Sequence, residues 1–300
     1  MSAPAAGAFS LLLVASLPTV PLFGALIAPL GAIPVLHYQA SGRAGIRVWG
    51  WMVGLLLVAV VTPIGATAGL ILASYLFVVV LPSVTVERWL AGGWPAGRWV
   101  AITAGVAIAA SIVGVAAIAW PEPPQEAALK WIRAGVEETL AASPEAFDEL
   151  GEVQLDLGER IGSWIVPSVP IAYLLLVLFW IRPRLPLLGF DLSVEPFEDY
   201  RSEEWLPAAF AAAGAGTLVL AGTPRWVAVN VLVAVLMLYF AHGLAIIRAH
   251  LARVVGRQWF VRWGVALLCL MWPMPPLVSL MGLTDSFWDL RPRADDDGGR

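Results

Sequence analysis

The chain breaks into eight apolar runs, most of them close to the length that crosses a bilayer, and nothing else in it constrains the fold as strongly. The runs cover residues 9–36, 46–61, 64–86, 99–120, 161–181, 205–221, 226–247 and 260–283. Hydrocarbon offers no water to backbone amides, so a crossing segment must satisfy its own N–H and C=O groups, as an α-helix does. The sequence therefore predicts an all-α, polytopic transmembrane helical bundle of about eight spans. The first run carries Pro18, Pro21, Pro29 and Pro34. Each proline removes a donor and crowds the preceding turn, so this run is either one long kinked span or a span with a re-entrant piece. The eighth is broken by Pro273, Pro275 and Pro276.

Composition excludes the main alternatives. Hydrophobic residues make up 59% and charged residues 13%, the latter about half the share usual in soluble domains. That rules out an ordinary soluble enzyme, a disordered chain and a nucleic-acid binder with a basic face. The net charge of −4 implies no partner by itself. No basic residue precedes Arg43, so the first run is expected to be retained rather than cleaved as a signal peptide.

Charges orient the spans. Arg43 and Arg47, Arg88 and Arg98, Arg182 and Arg184, and Arg248, Arg253, Arg257 and Arg262 fall in alternate loops. Residues 121–160 instead carry Glu122, Glu126, Glu137, Glu138, Glu145, Asp148, Glu149, Glu152, Asp156 and Glu159, against Lys130, Arg133 and Arg160. Eight alternating crossings put the arginine-rich loops inside and the acidic loop outside, as the positive-inside rule requires. Tryptophans such as Trp120, Trp164, Trp205 and Trp226 sit near predicted span ends, where amphipathic rings settle.

The acidic outer loop has helical periodicity. Leu129, Ile132, Val136 and Leu140 form one apolar face, and Phe147, Leu150, Val153 and Leu157 form another, with Ser143-Pro144 as a helix start between them. A short amphipathic helical pair is expected there. It acts either as a shield for the span ends or as a lid. Organisation follows: an N-terminal transmembrane half (1–181), an inner linker (182–204), a C-terminal transmembrane half (205–283) and a polar tail (284–300).

Enzyme and metal motifs are missing: there is no P-loop, no GxSxG elbow, no Cys/His cluster and no dinucleotide fingerprint. No cofactor or metal site and no enzymatic activity are expected. The single cysteine, Cys269, cannot form an intrachain disulfide. What remains are polar residues in apolar runs. Asn230 and His242 share the seventh run but point about 120° apart, so one ligand is not expected to touch both. Each is either a packing hydrogen bond or a ligand contact in a pocket. Arg248, Arg253 and Arg257 continue that helix into the headgroup region as lipid anchors or a docking face. The ridge Gly24, Ala28, Ala32 permits close helix approach, internal or to another subunit. Asp285 with Arg291 is expected as an exposed pair fixing the last helix, worth roughly 0–1 kcal/mol.

The C-terminal third carries a recognisable arrangement. It runs Phe197-x3-Arg201, then Asn230, then Tyr239-Phe240-Ala241-His242-Gly243-Leu244-Ala245-Ile246, and finally Leu280-x-Gly282-Leu283-x-Asp285 with Phe287 and Arg291. This resembles the YybS-like family of bacterial multi-spanning membrane proteins, filed as a domain of unknown function. His242 stands where that family often has Gln. The resemblance implies a multi-pass protein of the bacterial inner membrane. In hydropathy the chain is also similar to substrate-binding subunits of energy-coupling-factor transporters and to the rod-shape subunit MreD. Two expectations follow by that analogy. One is a solute-binding or transport-associated subunit, lacking its own ATPase and working with a membrane or ATPase partner. The other is a non-transporting scaffold for envelope assembly or cell shape.

Overall fold

A computed structural model describes residues 2–19, 24, 27–63, 65–92, 94–142, 152–190, 196–254, 259–271, 273–288 and 290–291. Among them every regular element is helical. The helices are α1 (Ala3–Thr19), α2 (Ala32–Ala40), α3 (Ile46–Val60), α4 (Gly65–Tyr75), α5 (Leu81–Gly92), α6 (Ala96–Ala119), α7 (Pro124–Ala142), α8 (Glu152–Ile165), α9 (Val169–Ile181), α10 (Leu206–Val219), α11 (Gly222–Val254), α12 (Trp259–Leu270) and α13 (Met274–Asp285).

Four described helices are long and apolar enough to cross a membrane: Thr67–Trp89, Ala96–Ala119, Asp156–Arg184 and Gly222–Ala252. A fifth is added if Gly264–Leu270 and Met274–Asp285, bent by 100°, form one broken span. The other apolar runs fold as shorter pieces. The second is the 15-residue α3 and the sixth the 14-residue α10, about 22 Å and 21 Å long, against about 30 Å of hydrocarbon. The first run divides into α1, a 3-10 turn at Ala28–Gly31 and α2, as its prolines demand. Run length in the sequence overstated helix length here, because prolines, glycines and turn residues are apolar enough to extend a run without extending a helix.

The chain splits into two compact units: residues 1–104 with 173–200, and 105–172 with 201–300. In the first unit, α4 and α5 are joined by a π-helical turn at Leu76–Val80. Pro82 explains it, since its ring crowds the carbonyl four residues back and widening the turn makes room. The hydroxyls of Ser83 and Thr85 then donate to the carbonyls of Val79 and Leu81. Trp89 stacks on Trp99 at 4.7 Å, and Trp99 Nε1 donates to Thr85 Oγ1 at 3.0 Å. Ser10 Oγ donates to the Gly31 carbonyl at 2.6 Å. The ridge Gly24, Ala28, Ala32 is buried within this unit. It serves internal packing, so the expectation of a docking face for another subunit is corrected.

In the second unit, α7 and α8 form the acidic hairpin. Arg133 Nε lies 2.9 Å from Glu159 Oε2 and its Nη2 lies 3.5 Å from Asp156 Oδ1, across the pair. These exposed bridges contribute little, about 0–1 kcal/mol each. Register comes from Ile132, which packs against Gly162. The expected helix start at Ser143-Pro144 and the apolar residues Phe147 and Leu150 lie outside the described residues. The second amphipathic helix is not separated by a loop from the fifth apolar run. It runs through a 3-10 turn at Val166–Ser168 into α9.

Helices α10 and α11 form a tight hairpin closed by Gly222 at φ +59°, a left-handed conformation that glycine adopts without a Cβ clash. Helix α13 packs on α11 backbone to backbone. A Cβ on Gly243 would overlap the Val278 carbonyl, and one on Gly282 would overlap the Tyr239 carbonyl. Only glycine allows helices so close, and in lipid that closeness replaces the hydrophobic drive that water supplies elsewhere.

Candidate functional site

Two polar centres lie on α11, and each has its own partners. The first repairs a break in the neighbouring helix. Pro167 has no N–H to give the Ser163 carbonyl one turn back. Trp226 Nε1 fills that place at 3.2 Å. The Trp164 carbonyl accepts from Asn230 Nδ2 at 2.8 Å, and Asn230 Nδ2 also donates to the Trp226 carbonyl at 2.9 Å. Ser168 Oγ donates to Asn230 Oδ1 at 2.8 Å. Asn230 is fully buried, and both its N–H donors are engaged with carbonyls. Carbonyls freed by a proline within a membrane must find donors on neighbouring helices, and these side chains are the donors.

The second centre is built around His242. Its Nε2 lies 2.8 Å from Asp285 Oδ2, and its Nδ1 lies 2.7 Å from Ser202 Oγ. Both side chains of the His–Asp pair are almost fully buried, 3% and 2% exposed. Asp285 Oδ1 accepts the Leu290 backbone N–H, and Arg291 Nε stands 3.7 Å from Asp285 Oδ2. Three chain segments converge here: the residues before α10, the middle of α11, and the end of α13 with the turn that follows. An ionised carboxylate can only accept, so Nε2 carries the proton donated to Asp285. In the neutral imidazole Nδ1 is then an acceptor, and the Ser202 hydroxyl donates to it.

The Asp285–Arg291 contact is therefore present but is neither exposed nor the main one. His242 is nearer to Asp285, and Arg291 is itself only 10% exposed. The reason is the glycine contact. With Gly282 against the Tyr239 backbone, α13 lies close enough for its last residue to reach His242. Asn230 and His242 are not brought together, as their separation around the helix requires.

Arg248 is exposed on α11, just beyond the centre. Arg253 is in the last turn of α11, and Arg257 lies outside the described residues. Sequence reasoning missed Ser202, Ser168 and the two carbonyls near Pro167. Pro167 was the available signal for the first centre, since a proline in an apolar helix announces an orphan carbonyl one turn earlier. For the second, Ser202 directly follows Arg201 of the family-like pattern, but nothing in its spacing connects it to residue 242. Among the described residues no group of three or more His, Cys, Asp or Glu is placed to hold a metal ion.

No curated protein and no solved structure matches the chain. One family model does, described as "Predicted membrane protein (DUF2232)", and it covers residues 7–286. That span includes the acidic hairpin, the Pro167 break and the His242–Asp285 centre. The chain thus belongs to the DUF2232 family of membrane proteins.

Proposed function

We propose that the chain is a multi-pass subunit of the bacterial cytoplasmic membrane, crossing it eight times, that binds a solute for a transport system whose ATPase is a separate protein. The observation that carries this reading is the His242–Asp285 pair, 2.8 Å apart with both side chains almost fully buried among apolar helices. A buried ionisable pair in a span supports a binding site, because lipid makes such groups costly to keep. Energy is assigned to a partner because no nucleotide motif occurs in the sequence.

The rival is a non-transporting scaffold for envelope assembly or cell shape, and Asn230 favours it. Its donors go to carbonyls of a neighbouring helix, which is a packing role. Native mass spectrometry of the tagged protein, gently released from its host membrane, separates the two. A reproducible small-molecule adduct that His242→Ala abolishes supports the transport subunit. A ligand-free protein carrying envelope or division proteins overturns it in favour of the scaffold.

A further inference from the structure

We propose that Ser202, His242 and Asp285 form a nucleophile–base–orienter triad that attacks carboxylic esters of lipids at the membrane boundary. The geometry has the parts such chemistry needs. The nucleophile oxygen is 2.7 Å from one ring nitrogen, and the orienting carboxylate is 2.8 Å from the other. Triads are recognised by this arrangement of roles and not by residue order, and they recur on unrelated folds. Here the carboxylate holds Nε2 and the serine holds Nδ1. The two nitrogens exchange the roles most familiar in soluble hydrolases without changing the proton chemistry. The carboxylate is fixed in turn by the Leu290 N–H and by Arg291. Ser202 is only partly buried, unlike the other two.

Depth selects the substrate. From Gly222 to His242 the helix rises about 30 Å, which is the thickness of bilayer hydrocarbon. At the Gly222 end, Arg225 sits over the Trp164 ring at 5.6 Å, as at a headgroup boundary. At the other end, Trp205, Phe287 and Trp288 are 48%, 63% and 70% exposed beside Ser202 and Asp285 in the chain. Aromatic side chains gather at the same level, and Arg248 follows just beyond. That is where the ester carbonyls of glycerolipids lie and where water is at hand.

The step balances. Ser202 Oγ adds to the ester carbonyl carbon while its proton passes to His242 Nδ1. The carbon–oxygen bond to the alcohol breaks, and the alcohol leaves with the proton from Nδ1. Water then adds to the acyl-serine, gives a proton to Nδ1 and releases the carboxylic acid, and Ser202 Oγ recovers its proton. No oxidant, reductant or metal enters.

The inference shares His242 and Asp285 with the transport reading but does not rest on it, since a solute site needs no reactive serine. The test uses the full chain in phosphatidylglycerol nanodiscs with a long-chain alkyl fluorophosphonate, followed by peptide mass mapping and an assay of fatty-acid release. The expected result is an adduct on Ser202 formed with loss of fluoride, slowed at least 100-fold by His242→Gln and by Asp285→Asn, together with fatty-acid release that Ser202→Ala abolishes. An unmodified Ser202 in the wild-type protein, under conditions that saturate a control serine hydrolase, overturns the triad, and this arm needs no variant to fold. Labelling that the folded variants leave unchanged also overturns it. An adduct without fatty-acid release overturns the lipid-ester assignment.

Discussion

Gly282 of α13 lies so close to Tyr239 of α11 that any Cβ at position 282 would overlap the Tyr239 carbonyl oxygen. The same crossing brings Gly243 against the Val278 carbonyl. Asp285, less than one turn beyond Gly282, reaches His242 because of it. A packing contact and a buried polar centre therefore depend on one another.

Gly282→Ala should consequently destabilise the fold by about 1–3 kcal/mol or more, since the obstacle is backbone and cannot rotate away. Gly214→Ala in α10 is the control. A Cβ there meets nothing within 4 Å, so the change should be neutral or slightly stabilising. Thermal melts of both variants in one detergent check this. Equal melting temperatures for the two would remove the close crossing as an element of stability.

The buried His242–Asp285 hydrogen bond predicts non-additive energetics. His242→Ala alone takes from the buried Asp285 carboxylate its nearest donor, leaving the Leu290 N–H and Arg291 at 3.7 Å, and losing a hydrogen bond to a buried charged group costs about 1.5–3 kcal/mol. Replacing both residues with apolar ones removes the charge along with its partner. The double variant should therefore be more stable than the sum of the single losses, by 1 kcal/mol or more. Strict additivity in the cycle would mean that the two groups do not interact in the membrane.

Much of this architecture was legible in the sequence, for physical reasons that differ by element. The apolar runs, the acidic helical hairpin and the proline break in the last run could be read because composition and proline chemistry act locally. The ends of α3 and α10 could not, since Val61 or Leu220 is as apolar as any residue inside those helices. His242 and Asn230 stood out because polarity is costly in lipid. Their partners did not, because Ser202, Ser168 and a main-chain carbonyl are ordinary groups that matter only where the fold delivers them. The Asp285–Arg291 pair was visible from spacing alone, yet its burial depended on a glycine contact between distant segments.

Asn230 predicts a dependence on proline. If its amide compensates for the break at Pro167, Asn230→Ala should cost about 1–3 kcal/mol by leaving the Trp164 carbonyl unpaired. That exceeds the roughly 0.6 kcal/mol average of side-chain hydrogen bonds between membrane helices. In a Pro167→Ala background the backbone can supply its own donors, and the cost of Asn230→Ala should fall by half or more. Urea or detergent unfolding of the four proteins reads the coupling. An unchanged cost in the second background would assign Asn230 a role other than repair.

The number of crossings can be decided from two positions. With eight crossings, three separate the acidic hairpin from the end of α11, so Glu137 and Arg248 face opposite sides. If the 14-residue α10 does not cross, only Asp156–Arg184 and Gly222–Ala252 intervene, and the two positions face the same side. Cys269 is the single native cysteine, so Cys269→Ala provides a background for Glu137→Cys and Arg248→Cys, both at exposed positions. In intact cells a membrane-impermeant maleimide should label Glu137→Cys at once and Arg248→Cys only after lysis. Labelling of both in intact cells, or of neither, would place α10 within one leaflet, and the chain would cross fewer than eight times.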